Sequence, residues 1–99
     1  MNESSPWAIN KEQRASNITL LRKHLTSLRA LAGISQEDLA CFLGISRQSY
    51  SMYETAKKEM PWTLYLALIL FFTTNSNTKE MISELSIYPN GLYERFEQL

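Results

Sequence analysis

Ser46, Arg47, Gln48, Ser49 and Ser51 place five hydrogen-bonding side chains in the few positions that follow Gly44-Ile45. Arginine offers a planar fork of donors, glutamine a donor beside an acceptor, and serine either role. Such a set suits a flat partner with a fixed pattern of donors and acceptors, and the base edges in the major groove of duplex DNA are a surface of that kind. Core packing has no need of it. Other chemistry is poorly supplied. His24 is the single histidine and Cys41 the single cysteine, without metal-type spacing between them. There is no catalytic constellation and no phosphate loop, so neither an enzyme nor a cofactor or metal is expected. Cys41 follows Ala40 on a helix and reads as a partly buried small side chain.

Helices must position the polar cluster. Ile18, Leu21, Leu25, Leu28 and Ala32 recur at spacings of three and four, which marks one buried stripe. This predicts a first helix capped by Ser16 or Asn17 and ended by Gly33 in a left-handed turn. Ser35 caps a second helix, with Asp38 three residues on and Leu39, Ala40 and Leu43 on its core face. Gly44 ends it. Ser46 caps a third helix through about Thr55, with Tyr50 and Tyr53 inward. Pro61 opens a fourth, a favoured first helical position, with Trp62, Leu64, Leu68 and Phe71 running to a Thr73–Asn77 breaker. Thr78 caps a fifth, with Met81, Ile82 and Leu85 inward. Pro89-Asn90-Gly91 reads as a turn, and Leu92, Phe96 and Leu99 as the apolar positions of one more short helix. No strand pattern competes.

The expectation is therefore an all-α, five-helix domain over residues 16–88, after an N-terminal arm or short helix at 1–15 and before a short C-terminal extension at 89–99. Two helices joined by a tight glycine turn, the second opening on polar side chains, form a helix-turn-helix arrangement. The inner residues fix the crossing angle, and the first turn of the second helix projects outward with Arg47, Gln48 and Ser51.

A family resemblance rests on more than that turn. Leu28-Arg29, Gly33-Ile34-Ser35-Gln36, Leu39-Ala40, Leu43-Gly44-Ile45-Ser46, Tyr53-Glu54 and Pro61 stand in this order and spacing. Together they resemble the phage repressor and Cro-like (XRE) helix-turn-helix family over about residues 18–85. The resemblance implies a repressor-like DNA-binding domain that usually acts as a dimer on double-stranded operator DNA. Gln36 resembles the glutamine that touches phosphate and braces the recognition helix. Arg47 and Gln48 occupy the first base-reading positions, and Ser51 and Met52 later groove-facing ones. Met52 departs from the polar residue often found there; contact with a thymine methyl and a small contribution are its two readings. Ser46, Lys57 and Lys58 fall at phosphate-facing positions, and Arg29 and Glu54 at those of an arginine–glutamate pair. Where the family often closes helix three with glycine, this chain has Ala56. A left-handed turn costs an L-residue roughly 1 kcal/mol or more, so helix three is expected to run on to Lys57 or Lys58.

Charge and composition set further bounds. The 99 residues have no net charge, but residues 11–58 hold eight basic against four acidic side chains, and residues 59–99 two against five. A positive face and a separate acidic end follow from such a split. The most apolar run, Leu64 to Phe72, is half the roughly twenty residues that a membrane span needs, and the N-terminus has no basic region followed by an apolar run. One cysteine fits a reducing compartment, and the expected location is the cytoplasm. Ile87, Tyr88, Leu92, Tyr93, Phe96 and Leu99 crowd the C-terminal segment. An apolar cluster of this kind usually marks an interface, here that of a homodimer centred on Leu92, Tyr93, Phe96 and Leu99. Folding of the tail back over the fourth helix is the structural alternative. The functional expectation is a sequence-specific regulator of transcription. The alternative is a protein-interaction module or antitoxin-like adaptor on the same fold with little DNA affinity.

Overall fold

A computed structural model describes residues 8–85 of the chain. Five helices follow in order: α1 (Lys11–Ala32), α2 (Gln36–Leu43), α3 (Arg47–Glu54), α4 (Trp62–Thr74) and α5 (Lys79–Leu85). Among the described residues there is no strand, and the fold is all-α. The readings that concern the C-terminal turn, the last short helix and the tail interface lie outside the described residues.

Leu21, Leu25 and Leu28 line the buried side of α1 and meet Leu39 and Ala40 of α2, Tyr50 of α3, and Leu64, Tyr65, Leu68, Ile69 and Phe72 of α4. Ile82 closes the core from α5. Thr78, fully buried before α5, does more than begin that helix. Its hydroxyl donates to the Phe72 carbonyl at 2.7 Å, which ties the start of α5 to the end of α4.

Four expectations need correction. Helix α1 begins at Lys11, capped by Asn10, whose Oδ1 accepts from the Glu12 and Gln13 amides at 2.7 and 3.3 Å. Ser16 and Asn17 lie inside the helix. Its first turns are polar and mostly exposed, so no apolar periodicity announced them. Pro61 stands at the N-cap of α4, with Trp62 the first helical residue. Cys41 is exposed, because it points away from the face that buries Ala40. Helix α3 stops at Glu54, and Ala56 takes the left-handed turn at φ 65°.

That last ending repeats a pattern. At the end of α1, the Gly33 amide donates to the Ala30 carbonyl and the Ile34 amide to Arg29. At the end of α2, Gly44 donates to Cys41 and Ile45 to Ala40. At the end of α3, Ala56 donates to Tyr53 and Lys57 to Met52. Each pair is the double hydrogen bond of a Schellman closure, which needs one left-handed residue. Glycine supplies it twice; Ala56 supplies it at a steric cost.

Candidate nucleic-acid interface

Two serine caps and one glycine set the turn between α2 and α3. Ser35 Oγ accepts from the Asp38 amide at 3.0 Å and opens α2. Gly44, at φ 75°, reverses the chain. Ser46 Oγ then accepts from the Ser49 amide at 3.0 Å and opens α3. The Ser46 hydroxyl also donates to Ser49 Oγ at 3.0 Å. An unsatisfied helix start needs such a side-chain acceptor.

The inner face of α3 is pinned. Tyr50 is fully buried and Tyr53 packs half-buried against the core. Glu54 closes the helix with its side chain only 5% exposed, against Arg29 of α1 at 17%. Arg29 Nη2 donates to Glu54 Oε1 at 3.0 Å, and Arg29 Nε reaches both carboxylate oxygens at 3.1–3.2 Å. Thr26 Oγ1 donates to Oε1 at 2.9 Å and Gln36 Nε2 to Oε2 at 3.0 Å. One carboxylate therefore joins α1, α2 and α3. Burial alone would raise its pKa. The Arg29 and Thr26 hydrogen bonds, the Arg29 charge and the Gln36 bond outweigh burial and hold the carboxyl below its ordinary value. Burial first, and then the Glu54 charge, push the neighbouring Tyr50 phenol well above its usual range, so it stays neutral.

The outer face of α3 is free. Arg47, Gln48, Ser51 and Met52 line one open concavity with Gln36 of α2 and with Thr55 and Lys57. Arg47 and Gln48 are exposed, Ser51 and Met52 half-buried. The strained Ala56 turn sends Lys57 back to this rim. Ser46 and Lys58 do not line the concavity: Ser46 is engaged with Ser49, and Lys58 Nζ stands 5.7 Å from the centroid of the Tyr53 ring. Thr55 was missed in the sequence. Its place one turn after Ser51 was the available signal, and its hydroxyl donates to the Ser51 carbonyl at 2.7 Å. Among the described residues no group of His, Cys, Asp and Glu could hold a metal ion.

A family model described as helix-turn-helix matches residues 25–61. Residues 25–61 are thus similar to a helix-turn-helix family, and the match supports the resemblance to the phage repressor and Cro-like family over that segment. The matched segment of this helix-turn-helix runs from the buried half of α1 through the whole of α2 and α3 to the cap of α4. It contains the Glu54 junction and every residue that lines the concavity. The family is one of DNA-binding regulators and not of enzymes. No curated protein and no solved structure matches the chain. No helix of the described residues is long and apolar enough to cross a membrane.

Proposed function

We propose that this helix-turn-helix chain is a sequence-specific regulator of transcription that reads double-stranded operator DNA in the major groove with α3. The observation that carries this reading is the division of α3. Its inner face is fixed by Tyr50 and by the carboxylate junction at Glu54, while Arg47, Gln48, Ser51 and Met52 gather with Gln36 and Lys57 in one open concavity. Arg47 and Gln48 serve as base readers and Ser51 and Met52 as further groove contacts. Gln36, Ser46, Lys57 and Lys58 hold the flanking phosphates. Phosphate contacts set register and base contacts set sequence. One such unit makes few base contacts, so useful specificity calls for two half-sites and two copies. The proposed regulator is a cytoplasmic homodimer held through Leu92, Tyr93, Phe96 and Leu99.

Selection of preferred sites from a random duplex pool tests the reading. Arg47→Ala or Gln48→Ala should weaken the selected site by roughly 1–3 kcal/mol and relax the preference at particular base pairs. Lys57→Ala should weaken all sequences alike and flatten the salt dependence by about 0.9 in slope. An Arg47→Ala protein with unchanged affinity and unchanged site preference would overturn the assignment of α3.

A specific surface favours a second reading, a protein-interaction module on the same fold. Phe42 of α2 is 52% exposed and Leu70 of α4 is 59% exposed. The Phe42 ring lies 5.2 Å from that of Phe71, and Leu66 is also exposed. Apolar surface of this kind is a common mark of association. A chain that selects no duplex but keeps a stable partner through this patch would support that reading.

A further inference from the structure

Helix α1 is longer than the matched segment requires. Residues 11–24 precede that segment, a rod of about 21 Å at 1.5 Å per residue. Its first turns, from Lys11 to Asn17, contribute nothing to the core cluster. Yet one face of the rod is organised. Lys11, Arg14, Ile18 and Arg22 recur at spacings of three and four, which places them on one side of the helix. Ile18 packs against the core and keeps this side turned toward the start of α4. There the three cations line a concavity with Glu59, Met60 and Trp62. Glu59 is its one carboxylate and is exposed. Among the described residues the only ion pair is Arg29–Glu54, so Lys11, Arg14 and Arg22 have no carboxylate partner.

The position of this concavity matters as much as its charge. Lys57 borders the groove of α3, while Glu59 and Met60 border the concavity of α1. The two hollows therefore flank the same short loop between α3 and α4. A duplex seated on α3 would lie against that loop, and the cationic side of α1 borders the loop's other flank.

We propose that the N-terminal half of α1 is a second DNA-backbone site, in which Lys11, Arg14 and Arg22 take duplex phosphates that flank the base pairs facing α3. The site rests on the duplex-binding reading above and adds to it contacts outside the matched helix-turn-helix. Among the described residues, three cations without an ion pair against one exposed carboxylate leave a net positive surface suited to a polyanion. The contact is blind to sequence, because phosphates carry no base identity. It lengthens the footprint and steepens the response to salt.

The experiment uses the full chain and two duplexes, one trimmed to the selected site and one extended by about five base pairs on each side, since backbone contacts scale with the phosphates available. The wild-type chain should bind the extended duplex more tightly and with a steeper salt slope. The variant Lys11→Gln/Arg14→Gln/Arg22→Gln should lose that advantage. Its slope of log affinity against log salt should fall by about 2.7, or 0.9 for each lost phosphate, with the selected sequence unchanged. Glu59→Gln should raise affinity for the extended duplex. Lys23→Gln is the control: Lys23 lines a different hollow of α1, and the change should leave the length effect intact. Circular dichroism should show helix content retained, and the single variant Lys11→Gln, at an exposed position, should lower the slope by about 0.9 without altering half-buried Arg14 or Arg22. If Arg47→Ala abolishes selection while the triple variant keeps its full slope and length effect, the α1 site is wrong and the α3 reading stands. If the wild-type chain binds neither duplex, both fall together.

Discussion

Arg29→Ala tests the junction that holds α3 in place. The substitution removes three hydrogen-bonding contacts to Glu54, at 3.0, 3.1 and 3.2 Å, and the only positive charge paired with it. The carboxylate keeps Thr26 and Gln36 as donors. Stranding a buried charge costs about 3–5 kcal/mol. The two surviving bonds and the partial exposure of Arg29 bring the expected loss to about 2–3 kcal/mol. For a domain of this size that lowers the melting temperature by about 10–20 °C. Arg22→Ala, which breaks no ion pair but trims a half-buried side chain, should cost less, about 1 kcal/mol or below. Thermal melts by circular dichroism at neutral pH read both. The sign of the pH dependence adds a second check. The Glu54 pKa is lowered in the folded chain from 4.5, so its stabilising contribution is complete above that ordinary carboxylate value. It is lost as pH falls through the folded pKa. In Arg29→Ala the dominant lowering influences are gone and burial remains, so the variant loses less on acidification. The gap between wild type and variant should therefore narrow below the ordinary carboxylate range. Equal melting temperatures for Arg29→Ala and Arg22→Ala would refute the reasoning, and a gap that widens in acid would refute the role given to the carboxylate.

Two further outcomes concern the backbone and the assembly. Ala56→Gly should relieve a left-handed strain of about 1–2 kcal/mol while adding about 0.4–1 kcal/mol of unfolded-state freedom, so the melt should rise by a few degrees; Gly44→Ala, at φ 75° with no atom near the added Cβ, should lower it, and the opposite pair of signs would show that the closures are not equivalent. Deleting Asn90 to Leu99 should convert the proposed dimer to a monomer in sedimentation and weaken the proposed operator binding with most helix retained; a truncated chain that stays dimeric places the interface elsewhere, and one that unfolds supports the fold-back alternative.

The parts legible in the sequence were those set by local chemistry. Ser35, Ser46, Gly33 and Gly44 each satisfy a helix end through atoms a few residues away, so their roles need no knowledge of the fold. The start of α1 was hidden because Asn10 precedes a polar stretch without apolar period. The end of α3 departs from the sequence expectation because the cost of a left-handed alanine is only one contribution to that turn. The Ala56 and Lys57 amides bond to Tyr53 and Met52, and the Glu54 junction fixes the preceding turn; together they offset that cost. At the site, Arg29 opposite Glu54 came from family resemblance, since nothing in their separation along the chain brings them together. Thr26 joins the junction because it lies one helical turn before Arg29, and no feature of an isolated threonine announced it. The cationic side of α1 was present as spacing, but its nearness to the loop before α4 is a property of the packed chain.

The division of α3 has an evolutionary consequence. Tyr50 and Glu54 bear the structural duty of the helix, whereas Arg47 and Gln48 are exposed and make no contact that the core requires. Mutations destabilise proteins mostly through buried positions, and selection tolerates those that stay above a stability threshold. Replacement of the outward side chains leaves that threshold untouched. Under the proposed reading, descendants of this chain can therefore drift in the operator they prefer while their scaffold stays the same, and duplicated copies can part ways in target without an intermediate that fails to fold.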